Sequence, residues 1–111
     1  MENNLDTEFI TFDLLSFKSE IELEAFLNFD KDAVRKFFNK LKTVGCLNVK
    51  ITRIWNKGDT YKAIVVFTWK NGKQIKERTK MFNEFVKNNK FWHQVVVKNE
   101  TLEGFVVREL I

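Results

Sequence analysis

The sequence predicts an α+β chain: a curved, mostly antiparallel sheet wrapped around one principal helix. Three observations carry that expectation. Between residues 31 and 43 apolar side chains recur at helical spacing. From Leu47 onward they alternate with polar ones or gather in β-branched and aromatic runs, the mark of strands. Twelve phenylalanines and three tryptophans in 111 residues can build a strong core, or can line a hollow.

The stretch Glu20–Phe29 reads two ways. With period two, Ile21, Leu23, Ala25, Leu27 and Phe29 share one face, and Glu20, Glu22 and Glu24 lie on the other. That is a strand. With period 3.6, Leu23, Phe26 and Leu27 form a stripe, and Glu and Leu favour helix locally. The alternation is the fuller pattern and the strand is the expected state.

The principal helix follows at 31–43. Asp30 is suited to cap it, with Asp32 in its first turn. Val34, Phe37, Phe38 and Leu41 lie on one buried face, Lys40 and Lys42 sit in the last turn, and Gly45 stops it.

Leu47, Val49 and Ile51 then alternate with polar residues as a strand. "NKGD", containing Gly58, is a turn, and "TYKAIVVFTW" is a strand apolar on both faces. Asn71-Gly72 is a hairpin signal, so a further strand is expected to leave from Lys73. "MFNEFV" (81–86) fits a short helix or a continued strand. Residues 90–98 read as a strand, "NETLEG" as a turn and "FVVRELI" as a last strand. From Leu47 the expectation is a meander of four or five antiparallel strands.

With no proline and no Gly/Ser linker, the chain is expected to be a single domain over 1–111. No apolar run approaches the ~20 residues that span a bilayer. "MENNLDTE" is acidic and polar and does not read as a signal peptide, so a cytoplasmic protein with no membrane association is expected. One cysteine, Cys46, and one histidine, His93, make a metal site or an internal disulfide unexpected, and no cofactor is inferred. The net charge of +4 is split. Residues 1–32 carry nine acidic and two basic side chains, whereas 33–111 carry six and seventeen. A basic surface for nucleic acid would look like this, and so would an acidic segment lying beside basic strands.

The quoted segments resemble the nuclear transport factor 2-like superfamily, the SnoaL-like cone folds in particular. "LDTEFITFDLLSFKSEIELEAF" looks like that family's Asp-bearing helix followed by its first strand. "NFDKDAVRKFFNKL" looks like the turn into its next helix, "ITRIWNKGDTYKAIVVFTWKNGKQI" like its first long hairpin, and "FVKNNKFWHQVVV" like its final one. The resemblance implies a short N-terminal helix, a cone with a concave cavity, and dimerisation through the sheet. It implies no particular reaction, because its members include enzymes as well as binding and assembly modules.

In that frame the expected pocket residues are Arg53, Trp55, Tyr61, Trp69, Glu77 and His93. An inward Arg53 needs an anionic ligand or a carboxylate such as Glu77. Tyr61 and Trp69 come from the strand apolar on both faces, whose second cover would be another subunit of a homodimer. His93 could serve as an acid or base if Glu77, Glu84 or Asp13 lay beside it. Cys46, far from the histidine in sequence, reads as a buried structural thiol rather than a nucleophile. The expected function is a pocket protein binding a small apolar or anionic molecule, or a dimeric assembly module. The alternative takes Glu20–Leu27 as a helix. It gives a winged helix-turn-helix nucleic-acid binder, with Arg35, Lys36, Asn39 and Lys40 in the major groove and Lys57 at the wing tip.

Overall fold

The computed structural model describes residues 4–29, 31–56 and 60–111. The Asp30 cap, the Gly58 turn and the Lys57 wing tip lie outside the described residues. In chain order the main elements are β1 (Phe9–Phe17), α1 (Glu20–Leu27), α2 (Lys31–Leu41), β2 (Cys46–Arg53), β3 (Lys62–Trp69), α3 (Ile75–Lys87), α4 (Lys90–Val95) and β4 (Val96–Phe105). The strands form one sheet in the order β2-β3-β1-β4, and every neighbouring pair is antiparallel. Each βαβ half is split, because the strand returning from the helices leaves room for another between.

β1 forms where a helix was expected. Apart from Asp13 and Ser16 its residues are apolar or β-branched on both faces, and it pairs with β3 on one side and β4 on the other. Phe9, Thr11, Leu15 and Phe17 are buried toward the helices, as are Ala63, Val65, Phe67 and Trp69 of β3. The intervening residues Ile10, Leu14, Ile64 and Val66 are half-buried on the opposite face, and Phe12 beside them is exposed.

Glu20–Leu27 is a helix, which overturns the strand expectation. Leu23 is fully buried, whereas Ile21, inward in the strand reading, is 80% exposed. Ser19 starts the helix in extended backbone, and its hydroxyl bonds the Glu22 carboxylate. The spacing Ser19-x-x-Glu22 is a capping signature that the period-two pattern obscures. The alternation of glutamates is an accident of surface placement: Glu20 and Glu24, one helical turn apart, both pair with Arg53 of β2.

α2 continues as a 3-10 turn over Lys42–Val44 and stops at Gly45, whose φ of 92° lies in the left-handed region that glycine adopts without strain. Asn71-Gly72 does not make the expected hairpin. The Asn71 side chain accepts from the Lys73 N–H (2.9 Å), and the Gly72 N–H donates to the Leu5 carbonyl (2.8 Å). A Cβ on Gly72 would sit 2.9 Å from the Phe9 ring, so the glycine serves close packing. The chain then enters α3, which contains Met81–Val86. Residues 90–95, expected as strand, are the helix α4, started by Asn89 accepting from the Trp92 N–H (3.2 Å). "NETLEG" lies inside β4 rather than in a turn. β4 is an edge strand exposed on nearly its whole length, which is why its sequence is polar.

The expected cone around one principal helix is therefore replaced by a four-stranded sheet with four helices on one face. The same sheet displaces the winged-helix frame: the β2–β3 pair that follows α2, expected as a wing, is built into the sheet through the pairing of β3 with β1. No helix among the described residues is long and apolar enough to cross a membrane. The radius of gyration is 14.9 Å, above the ~13 Å of a compact chain near this length, because the molecule is elongated, 47 × 31 × 20 Å along its principal axes.

Leu23→Ala should cost about 2–5 kcal/mol of stability in denaturant unfolding, whereas Ile21→Ala should stay within about 0.5 kcal/mol. Equal losses at both positions would contradict the helical register of α1.

Candidate functional site

A cleft of about 1000 Å³ opens between the helices and the sheet. Its walls are aromatic: nine of the twelve phenylalanines line it, with Trp69 and Trp92. The rings hold one another in place. Phe37 of α2 stacks on Phe85 of α3 (centroids 4.2 Å apart) and meets Phe82 edge-on (5.1 Å). Phe67 of β3 meets Phe82 (5.0 Å) and stacks on Trp69 (5.7 Å). On the far side Phe29 stacks on Phe91 (4.6 Å), and Phe26 meets Trp92 (6.0 Å). Such pairs contribute roughly 0.5–1.5 kcal/mol each beyond the area they bury.

One end of the cleft is fixed by Arg78, which is 6% exposed. Its guanidinium lies 4.1 Å over the Trp69 ring. Nε donates to the Val44 carbonyl (3.2 Å) and Nη2 to the Asn71 carbonyl (2.6 Å). Trp69 Nε1 donates to Thr11 Oγ1 (2.9 Å). This arginine is thus a structural cation, with part of its hydrogen-bonding capacity spent on backbone.

The polar part of the floor lies on β1 and β4. Thr11 and Asp13 face Glu103 and Thr101 across the strand pair, and all four line the cleft. The Thr101 hydroxyl donates to Asp13 Oδ1 (2.5 Å). Burial pushes the Asp13 carboxyl above its ordinary range; the Thr101 bond draws it down, and the Glu103 charge adds to the rise. Asp13 entered the sequence reading only as a possible neighbour of His93. Its pairing with Thr101 spans 88 residues and has no local signal.

Of the expected pocket residues, Trp69 and His93 line this cleft; His93 is exposed, on α4. Arg53 is exposed on β2 and is held by Glu20 and Glu24, not Glu77, and those two carboxylates raise its pKa further. Trp55 is 93% exposed after β2. Tyr61 precedes β3, where its carbonyl accepts from the Phe17 N–H (2.8 Å). Glu77 is exposed in the first turn of α3. These four are not among the residues lining the cleft. Of the groove-reading residues in the winged-helix alternative, Arg35 and Asn39 line it. Cys46 is buried, its Sγ bonding the Asn48 carbonyl (3.6 Å), and burial pushes its thiol up, away from the thiolate a nucleophile needs. Among the described residues no group of three or more His, Cys, Asp or Glu side chains is placed to hold a metal ion.

With this architecture in view, kinship can be stated. Residues 6–103 match the family described as a domain of unknown function, DUF6974. The chain belongs to that family. No curated protein matches it. Among solved structures, the DUF6974 chain is similar to two dimeric ferredoxin-like proteins from an uncultured marine organism. One is 22% identical, with a TM-score of 0.76 over 94% of this chain and 99% of that one. The other is 24% identical, with a TM-score of 0.78 over 95% and 99%. It is also similar to a protein of Nitrosomonas europaea named as a candidate antibiotic biosynthesis monooxygenase, at 13% identity and a TM-score of 0.64 over 92% of each chain. At these identities the likeness shows the fold, which is ferredoxin-like. It replaces the nuclear transport factor 2-like resemblance, whose cone shares with this fold only the alternation of helices and antiparallel strands.

Because the folded chain holds the Asp13 proton to higher pH than the unfolded chain, stability falls as pH rises out of the ordinary carboxylate range. Asp13→Asn keeps an acceptor for Thr101. It should unfold at a higher temperature than the parent at pH 7 and lose that advantage below about pH 4. A variant less stable than the parent at pH 7 would contradict the assigned burial.

Proposed function

We propose that this protein is a dimeric ferredoxin-like module that binds a small, ring-bearing apolar molecule in the cleft between its helices and its sheet. The cleft carries the proposal. Its volume, about 1000 Å³, matches the upper range of small-molecule sites, and its walls offer flat aromatic faces, with Asp13, Thr101 and Glu103 among the polar groups of its floor. An anionic ligand, the other expectation from sequence, would meet Asp13 and Glu103 on the floor; Arg78 is bonded to backbone carbonyls, and the other lining cations, Arg35 and Lys87, are exposed on the helices.

The dimer part rests on the other face of the sheet. Phe12 (41% exposed) and Leu102 (58%) stand opposite each other on β1 and β4, beside half-buried Ile10, Leu14, Ile64 and Val66. Lys50 and Lys98 flank this apolar strip on the edge strands. An uncovered apolar sheet face is where a second copy would pack. The two marine neighbours are themselves described as dimeric.

Calorimetric titration with naphthalen-1-ylmethanol should show saturable binding at one site per chain. Asn83→Trp, at an exposed lining position, should weaken it roughly tenfold. Absence of saturable binding would refute the cleft reading. Sedimentation equilibrium should give twice the 13.3 kDa chain mass. Phe12→Lys should halve the measured mass while leaving the circular dichroism spectrum intact; a parent monomer would refute the dimer.

A further inference from the structure

We propose that the cleft prefers a ring-bearing organic cation, a protonated amine whose ring lies on the aromatic wall and whose ammonium pairs with the Asp13 carboxylate. This inference rests on the cleft being a small-molecule site and narrows what that site takes.

Asp13 lies on a central strand and faces the cleft, and Glu103 on β4 is the charged neighbour that acts on it. No cationic side chain is among the groups that perturb it. The cationic or titratable side chains lining the cleft from the helices are Arg35 on α2, Arg78 and Lys87 on α3, and His93 on α4. Arg78 is stacked on Trp69 and bonded to two carbonyls, and the other three are exposed. From the sheet, β3 contributes only Val65, Phe67 and Trp69 to the lining, and β2 only Ile51. A carboxylate thus sits on the floor of the cleft, between Val65 and Thr101, with no cation from the described residues among the groups that act on it.

Hydrogen bonding leads the same way. An ionised carboxylate accepts at both oxygens, and the Thr101 hydroxyl occupies one position at Oδ1. The remaining acceptor capacity faces a space large enough for a ligand. A neutral apolar ligand would strip water from this carboxylate and return nothing, a cost that an ammonium donor offsets. The walls help, because ring faces carry negative potential and attract a cation. An alkylammonium on an aromatic body satisfies both surfaces at once.

The test uses three ligands with one ring system: naphthalen-1-ylmethylamine, naphthalen-1-ylmethanol and 1-naphthoate, titrated calorimetrically at neutral pH and fixed salt. The amine should bind roughly tenfold more tightly than the alcohol, with the naphthoate weakest. Asp13→Asn, checked for an intact amide NMR spectrum, should remove the amine's advantage by weakening the amine, while the alcohol, freed of the carboxylate's desolvation cost, should bind at least as tightly as to the parent. Equal affinity for amine and alcohol, or a preference for naphthoate, would overturn the cation preference while the cleft reading stands. An amine advantage that survives in Asp13→Asn and is lost in Glu103→Gln would overturn the assignment to Asp13. If none of the three binds, the cleft reading fails and this inference fails with it.

Discussion

The structure turns on the contact between Arg78 and Trp69. The indole, 1% exposed, joins β3 to β1 through its bond to Thr11, and the guanidinium on its face ties α3 to the end of α2 at Val44 and to the β3–α3 connection at Asn71. Burying a guanidinium is costly unless its donors are met. Here two backbone carbonyls, at the ends of a helix and of a strand, accept from Nε and Nη2, and a ring face covers the cation. Because that corner is closed, α3 is anchored at its start and leans over the sheet, and Phe82 and Phe85 reach Phe67 and Phe37. The open cleft is the space that this anchoring leaves between α3, α4 and β1.

The two faces of the sheet then have different fates. The helical face is filled with rings at one end and left hollow near Asp13. The other face carries half-buried Ile10, Leu14, Ile64 and Val66 beside exposed Phe12 and Leu102. Both kinds of surface were implied by β3, whose "KAIVVFTW" is apolar at nearly every position and must be covered twice. A single copy covers it once. The acid–base balance of the chain resolves similarly: the acidic N-terminal portion is not a separate field, since Glu20 and Glu24 close on Arg53 across the boundary between helix and sheet.

Much of this was legible where a residue's local pattern and its tertiary role agree. The stripe Val34, Phe37, Phe38, Leu41 is the buried face of α2, and Gly45 ends that segment as its permissive backbone suggests. The β2–β3 pair was visible in its alternation and its β-branched composition. The errors have physical causes. Glu20–Leu27 mimics a strand because three glutamates happen to alternate with apolar residues, while Ser19, at the N-cap position, and Glu22 bond each other at the start of a helix. β1 hides its identity because apolar residues fall on both its faces, with Thr11, Asp13 and Ser16 breaking the alternation, and its partners, β3 and β4, lie far along the chain. Asn71-Gly72 carries a hairpin signature, yet its glycine is needed for contact with Phe9 and its asparagine for the turn into α3. The site was half-readable. The abundance of aromatics announced a core or a hollow, but the register that sets Asp13 opposite Thr101 is a property of the sheet alone.

The most direct measurement is isotope-filtered NMR on the labelled protein with unlabelled naphthalen-1-ylmethanol bound. The account predicts intermolecular contacts from the naphthyl protons to the rings of Phe67, Phe85 and Trp92 inside the cleft. Contacts to Phe12 and Leu102 on the open sheet face instead would contradict it, and would make the uncovered apolar strip the place where this chain meets small molecules.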